Sequence, residues 1–431
     1  MDVESAVILQ STLIQRVRRF PLWQPLAARD FRLLWLGQSV SLFGDQFYLI
    51  ALPWLTLRLT GSAFALGTVL MVAAGTRAAF QLLGGALSDS VSPHILMIVS
   101  SVARAVVTAL IAVVVLLDIT QLWHLYALSF IFGMVDAVFF PAYMAVIPSL
   151  VSKDHLPASN ALLRGTGRLM SLLGPAVAGI VVSTAGLAVA FAIDTATFVF
   201  VALMIGLMEK GASRAEAPGD EASAQRRGGL KGLVASIREG LRYAWSEPVV
   251  RALFLFICAI EFCYAGPASV GIASLAKTRF EAGGASALGW MMSSLGGGML
   301  IGMLSAGSIT SGRRRGPVLI SGAVAIGLGL GLLGFATNLL VACAVLVLTG
   351  MGGGLGNILI MAWIQSRTKP GMLGRVISLL LLGMSVLEPL SFALAGFIVT
   401  LNLRAVFVAS GSFLLLTCVI AMASPALRTS D

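Results

Sequence analysis

Apolar runs separated by short polar turns occupy almost the whole sequence. Twelve of these runs are long enough for a membrane-spanning helix, which needs about 20 residues. They cover 32–57, 63–87, 94–117, 122–148, 157–184, 187–208, 249–276, 286–309, 316–336, 338–363, 374–400 and 402–423. The divisions at Gly186 and Asn402 each depend on a single break in the pattern. The pattern therefore predicts an all-α integral membrane protein with twelve transmembrane helices.

Composition supports a membrane location. Hydrophobic residues make up 58% of the chain and charged residues only 11%, and the mean hydropathy is +0.95. A water-soluble fold cannot bury that much apolar surface. All four cysteines lie inside apolar runs, so we expect small buried side chains there and no disulfides or metal sites.

The basic residues predict the orientation of the chain. Most lysines and arginines fall in segments that share one side of the membrane with the N-terminus, and such segments are normally cytoplasmic. This places both termini inside a cell membrane. The formal net charge of +10 is then an insertion signal that also attracts anionic lipid, and a nucleic-acid partner is not expected.

The same count divides the chain into five parts. We expect a cytoplasmic segment at 1–30, a six-helix bundle at 31–208, a cytoplasmic linker at 209–248, a second bundle at 249–423 and a cytoplasmic tail at 424–431. The linker begins as a polar, flexible stretch. It then carries apolar residues at helical spacing with basic residues between them, which predicts an amphipathic helix on the inner membrane surface. Those apolar residues are Leu230, Leu233, Val234, Ile237, Leu241, Ala244 and Trp245. Packing of this helix on the cytoplasmic face of the bundle is the alternative, and the two are compatible.

A short phrase is repeated in the two halves. GSAFALG occupies 61–67 and GGASALG occupies 283–289, an offset of 222 residues. Both copies fall at a predicted external turn, before the second helix of each half. Small residues permit tight turns and close helix contacts. The repeat therefore predicts two related halves whose paired helices meet closely at the external face.

Three further stretches resemble the major facilitator superfamily. They are FRLLWLGQSVSLFGDQ at 31–46, FFPAYMAVIPSLVSKDHLPASNAL at 139–162 and IREGLRYAWSEPVVRALFL at 237–255. The resemblance is to a branch of proton-coupled drug and siderophore exporters related to macrolide-efflux and enterobactin-export proteins. It implies two pseudo-symmetric six-helix bundles, a monomer without cofactors, and secondary active efflux of an amphiphilic small molecule in exchange for protons.

Two motifs of that superfamily can be located by position. GALSDSVSPH resembles the loop between helices 2 and 3: Gly85 and Asp89 match, but the arginines of the usual motif are missing. The corresponding loop of the second half, GSITSGRRRG, has three arginines and no acid. An acid facing these arginines could hold the cytoplasmic face shut, so the gate candidates are Gly85, Asp89, Arg313, Arg314 and Arg315.

On the fifth helix, LLGPAVAG resembles the exporter-associated pattern. Gly174, Pro175 and Gly179 would give a bent helix with a close-packing face. An ordinary small-residue membrane interface is the alternative interpretation of this segment.

Nine charged residues lie well inside the predicted spans, where each costs about 2.5–3.5 kcal/mol to insert. They are Asp45, Arg77, Arg104, Asp136, Arg164, Arg168, Asp194, Glu261 and Glu388. At about 1.5 Å per residue, Asp45, Arg77, Asp136, Glu261 and Glu388 are expected near mid-membrane. Arg104, Arg164 and Arg168 are expected nearer the cytoplasm, and Asp194 nearer the outside.

These depths suggest two sets of candidate functional residues. Asp45, Glu388 and Glu261 are candidates for proton coupling, since Gly44 and Pro389 are sites where a helix can open toward a cavity. Arg77, Asp136, Arg168 and Gln46 are candidates for the substrate cavity. The alternative is internal ion pairing that fixes helix packing, and it applies most to Arg104, Arg164, Arg168 and Asp194.

Several rival functions remain at this point. An importer, a facilitator or a lysolipid transporter of the same fold is compatible with the pattern. A membrane-embedded enzyme is disfavoured because the three histidines (His94, His124 and His155) lie near membrane surfaces, and no catalytic or metal-binding set is found. Repeated filter-like loops or charge rings, which would indicate a channel, are also missing from the sequence.

Overall fold

The computed structural model describes residues 21–209, 238, 241–242, 245–309, 315–368 and 372–423. Within these ranges the chain is helical and contains no β-strand. Twelve helices in this part are long and apolar enough to cross a membrane. The predicted fold class is therefore confirmed.

The helices follow one another with short connections. After a 3-10 helix at Pro21–Ala27, they are α1 (Arg29–Thr60), α2 (Ala63–Ser90), α3 (Pro93–Leu116), α4 (Leu122–Leu150), α5 (Leu156–Thr184), α6 (Leu187–Gly206), α7 (Pro248–Arg279), α8 (Gly284–Ile309), α9 (Arg315–Leu333), α10 (Leu339–Arg367), α11 (Leu373–Leu401) and α12 (Leu403–Ala423). Most extend a few residues beyond the predicted spans, because the helical hydrogen bonding continues past the apolar run into the flanking polar residues.

The helix divisions at Gly186 and Asn402, each predicted from a single break in the apolar pattern, have clear local causes. Gly186 has a φ of +91°, which an L side chain rarely adopts, and it separates α5 from α6. Asn402 is extended, and its side-chain oxygen accepts a hydrogen bond from the backbone N–H of Arg404 at 2.8 Å. This bond satisfies a free donor at the start of α12.

Helix packing repeats between the halves. In the first half α2 packs on α4, α3 on α6, and α1 on both α5 and α6; in the second half α8 packs on α10, α9 on α12, and α7 on both α11 and α12. The two halves meet mainly through α2 with α11 and through α5 with α8. These are again equivalent pairs, so the molecule consists of two pseudo-symmetric six-helix bundles.

Helix α7 is interrupted at membrane depth. Its α-helical parts, Pro248–Gly266 and Ile272–Arg279, are joined by a π-helical turn at Pro267–Gly271. A proline removes one backbone donor and displaces the preceding turn. The N–H of Gly266 instead donates to Ser391 Oγ of α11 at 2.8 Å. The irregular turn is therefore held by a neighbouring helix, which membrane proteins require of non-helical backbone.

Some predictions concern residues outside the described ranges. The segments 1–20 and 424–431, most of the linker, and Arg313 and Arg314 of the gate all lie outside them. Gly85 and Asp89 lie on the last turns of α2, and Arg315 begins α9, but the structure does not describe the side chains there. The amphipathic helix and the cytoplasmic gate remain predictions.

Candidate functional site

A cavity of about 440 Å³ lies between the two bundles. Six helices contribute to it, namely α1, α2 and α4 from the first half and α7, α8 and α11 from the second. Its wall is mostly apolar, with a few polar and charged groups. The lining residues are Asp45, Tyr48, Leu49, Leu52, Pro53, Leu70, Ala73, Ala74, Arg77, Phe132, Gly133, Asp136, Tyr264, Ala268, Ser269, Ala273, Leu288, Met292, Leu295, Glu388 and Phe392.

Arg77 links the two halves across this cavity. Its Nη2 donates to Glu388 Oε2 of α11 at 2.5 Å. Its Nη1 lies 3.9 Å from Asp136 Oδ2 of α4. One guanidinium thus faces a carboxylate of the opposite bundle and another of its own bundle. Arg77 and Asp136, two of the substrate-cavity candidates, lie side by side in the cavity lining.

Arg104 is the second cation of the site. Its Nη2 donates to Asp136 Oδ1, and the guanidinium lies over the ring of Phe139 at 4.5 Å and near those of Phe132 and Phe198 at 5.5 and 5.6 Å. Only 5% of Arg104 is exposed. The aromatic faces and one carboxylate therefore replace the water that this charge loses on burial.

Two predicted proton-coupling residues lie close to these arginines. Asp45 lines the cavity and interacts electrostatically with Arg104 and Asp136. Glu261 interacts in the same way with Glu388 and Arg77. The structure therefore gathers acids from α1, α4, α7 and α11 around two arginines, although sequence depth had suggested that Arg104 lies nearer the cytoplasm than Asp136.

The predicted external face is closed by two glycine seams. A Cβ placed on Gly67 of α2 would lie 2.5 Å from the carbonyl oxygen of Phe392 and 3.1 Å from Gly396 Cα in α11. A Cβ on Gly179 of α5 would lie 2.7 Å from the Ala285 carbonyl oxygen and 3.0 Å from Gly289 Cα in α8. Gly67 and Gly289 end the two copies of the repeated phrase, so the repeat lies at the closure.

The three α5 motif residues face different neighbours. Gly179 and the carbonyl of Pro175 meet Gly289 of α8, within the seam. Gly174 instead faces Gln46 of α1, and a Cβ there would lie 2.8 Å from Gln46 Cβ. The motif thus provides close packing, both within its bundle and between bundles.

Two cavity candidates are not part of the lining. Gln46 packs against α5, and its Nε2 donates to the Leu42 carbonyl at 3.1 Å. Arg168 on α5 is half-buried and interacts electrostatically with Tyr264. Gln46 points about 100° around α1 from Asp45, toward Gly174 of α5.

Two tyrosines of the site were not predicted. Tyr48 and Tyr264 line the cavity, and Tyr48 stacks on Phe132 with the ring centroids 4.4 Å apart. The sequence does contain a signal for them, because DQFY at 45–48 and EFCY at 261–264 both place a tyrosine three residues after an acid. Residues at that spacing share a helix face.

Comparison with known proteins assigns the family. A sequence profile of the Major Facilitator Superfamily matches residues 34–371 and 269–429. The chain is 26% identical over 403 residues to the multidrug efflux pump Tap of Mycolicibacterium fortuitum, covering 90% of this chain and 94% of that protein. It is 22% identical over 349 residues to the enterobactin exporter EntS of Shigella flexneri, covering 80% and 79% of the two proteins.

A solved structure supports the same fold. The crystal structure of the nucleoside transporter NupG superposes with a TM-score of 0.71 at 12% identity, covering 91% of this chain and 98% of that one. Twelve spans, two pseudo-symmetric bundles and a central cavity agree with the profile match. The chain belongs to the major facilitator superfamily of membrane transporters.

Proposed function

We propose that the protein is an efflux transporter that exports an amphiphilic small molecule by alternating access, in exchange for protons. The observation that carries this proposal is the central cavity, where a small group of charges at membrane depth is set in an apolar wall between two bundles. We further propose that it acts as a monomer in the cell membrane with both termini in the cytoplasm. Tap and EntS, whose names describe export, support the direction of transport.

The lining favours an amphiphilic substrate. Aromatic and aliphatic side chains from both halves provide a large apolar contact, and unbranched or planar groups such as Met292, Tyr264 and Phe392 adapt to varied shapes. The charged residues lie on one part of the wall, at Asp45, Asp136 and the Arg77–Glu388 pair. A molecule with one polar end and an apolar body matches this division.

Proton exchange follows from the charge balance. Five carboxyl groups and two guanidinium groups form the central cluster: Asp45, Asp136, Asp194, Glu261 and Glu388, with Arg77 and Arg104. An unpaired charge at this depth is costly. A bound proton or a cationic group of the substrate removes that cost, so the two compete for a surplus carboxyl group that lines the cavity, and this competition couples their movements.

The two glycine seams are in contact in this structure, which corresponds to a state closed at the predicted external face. Gly67 with Gly396 and Gly179 with Gly289 join the bundles at the predicted external face. Release to the outside requires both seams to separate while the opposite ends approach, which is the rocking motion of this fold. An importer or facilitator would use the same motion, and a proton-driven exporter differs from them in moving its substrate opposite to the flow of protons.

We predict that Asp45→Asn abolishes proton-coupled transport and leaves membrane insertion intact. The amide keeps the size of the side chain but cannot bind and release a proton. The measurement is ethidium transport by the full-length protein in proteoliposomes with an imposed pH gradient. Asp118→Asn is the matched control, because Asp118 lies in the turn after α3 with a φ of +54°, which asparagine tolerates well. Wild-type rates in Asp45→Asn would overturn the role of this carboxyl group.

We also predict that a protonophore stops ethidium accumulation. Movement of the probe against its gradient requires the proton gradient if protons are the coupling ion. The same vesicles are tested with a sodium gradient in place of the pH gradient. Accumulation that survives the protonophore and follows sodium would contradict proton coupling.

A further inference from the structure

Asp194 on α6 is a buried acid that the ion pairs of the cavity leave unused. Its exposed fraction is 0%. Among the described residues, neither carboxyl oxygen has a hydrogen-bond partner or a salt bridge. Ion pairing was one expectation for this residue, and the structure does not bear it out. A buried polar group without a partner calls for an explanation.

The packing places Asp194 beside the cavity but behind its wall. Helices α1 and α6 approach each other at Gly44, where a side chain would collide with Thr197. Asp45 is next to Gly44, and its carboxyl group interacts electrostatically with that of Asp194. The cavity lining includes Asp45 and does not include Asp194. The two acids therefore form a pair in which one member faces the substrate and the other is shielded from it.

The charged groups around Asp194 do not neutralise it. On α3, Arg104 interacts with Asp194 over a distance, but its hydrogen bond is made to Asp136 of α4. On α1, Asp45 is a like charge. Tyr48 of α1 lies near this acid but donates no hydrogen bond to it. A carboxylate here would be an unpaired charge in a medium of low dielectric constant, whereas a carboxyl group holding a proton would not.

We propose that Asp194 is a second proton-binding residue of the transport cycle, which exchanges its proton with Asp45. In the state seen, Asp194 holds a proton. After the substrate has left, this proton moves to the Asp45 carboxylate and Asp194 takes up another from the external side, and Asp45 releases its proton to the cytoplasm when the next substrate binds. The substrate then competes with the proton for Asp45 alone. This inference rests on the proposed proton exchange for its role in the cycle, but the protonated state of Asp194 can be tested independently.

The first test is infrared difference spectroscopy of the purified full-length protein in lipid, recorded across a pH titration. Asp194→Asn is expected to remove one protonated-carboxyl stretching band, and Asp45→Asn to shift it, because the two groups interact. Asp118→Asn is the control and leaves the band in place. A spectrum unchanged by Asp194→Asn would overturn the proposal whether or not the protein exchanges protons.

The second test measures coupling with ethidium in proteoliposomes. Asp194→Asn is expected to bind ethidium within about twofold of the wild type, because the residue does not contact the cavity, while proton movement per transport cycle falls about tenfold. Asp194→Glu, which keeps a carboxyl group, is expected to restore part of the proton movement. Wild-type proton movement in Asp194→Asn would show that the acid is only structural. Absence of ethidium-linked proton movement in the wild type would overturn the proposed exchange and leave the infrared result standing.

Discussion

Gly67→Ala is expected to reduce transport about tenfold or more, whereas Gly75→Ala in the same helix leaves it unchanged. An alanine Cβ at Gly67 would lie 2.5 Å from the carbonyl oxygen of Phe392, but at Gly75 the nearest atom is Pro389 Cβ at 4.0 Å. The first clash involves backbone, which cannot rotate away. Overpacking of this kind costs about 1–3 kcal/mol, and each 1.4 kcal/mol is a factor of about ten in an equilibrium.

The mechanism predicts which state is lost. The clash opposes closure of the predicted external face, so the population shifts toward the state that is open to the outside. In a variant without the four native cysteines, Ser269→Cys reports access to the cavity. Gly67→Ala is expected to speed its labelling by a membrane-impermeant maleimide, and Gly75→Ala is not.

Pseudo-symmetry supplies an internal check. Gly289→Ala in the other seam is expected to act like Gly67→Ala, since Gly289 faces the carbonyl of Pro175. If both seam variants transported ethidium normally, glycine contact would not be required for closure. If only one did, the two seams would have different roles.

The second large effect is a loss of stability, expected when the ion pair between Arg77 and Glu388, which joins the two halves, is broken. Glu388→Gln leaves the guanidinium of Arg77 with Asp136 alone, and Arg77→Gln leaves Glu388 beside Glu261 without a counter-charge. Removing one partner of a fully buried pair costs about 3–5 kcal/mol. The side chains of Arg77 and Glu388 are 40% and 24% exposed, so we expect each single variant to lose about 1–3 kcal/mol of unfolding free energy.

The control is a pair of the same length in a different setting. Lys277 Nζ and Glu281 Oε1 are also 2.5 Å apart, but Glu281 is 67% exposed. Glu281→Gln is expected to change the free energy of unfolding by less than about 0.5 kcal/mol and to leave transport unchanged. Thermal unfolding and ethidium transport are measured for Arg77→Gln, Glu388→Gln and the double variant. A double variant as unstable as the sum of the singles would show that the pair is not coupled.

Sequence reasoning was most reliable where the bilayer itself sets the rule. Helix number follows from the apolar thickness, and the breaks at Gly186 and Asn402 follow from backbone conformation. Asp45, Arg77, Asp136 and Glu388 line the cavity. They stood out in the sequence because a charged side chain at membrane depth is costly in any orientation. The repeated phrase indicated the seams because close packing selects small residues.

The direction in which each helix faces could not be read in the same way. In a transporter both the lipid and the cavity wall are apolar, so the usual contrast between a buried and a polar face is weak. Gln46 was assigned to the cavity beside Asp45, although it packs against α5. Counting residues from the membrane surface also separated Arg104 from Asp136, because it ignores the reach of the side chain across to the next helix.

The separation of glycine seams from cavity lining bears on how such a protein can evolve. At a seam the touching atoms belong to the backbone, so no side chain exists there that could be exchanged for another of similar size. In the lining, Leu49, Leu70 and Met292 can be exchanged for other apolar side chains, which usually costs less than about 1.5 kcal/mol. Drift in the lining alters which molecules fit while the glycine contacts of the seams stay the same, so the range of substrates can change without a change in how the two bundles pack.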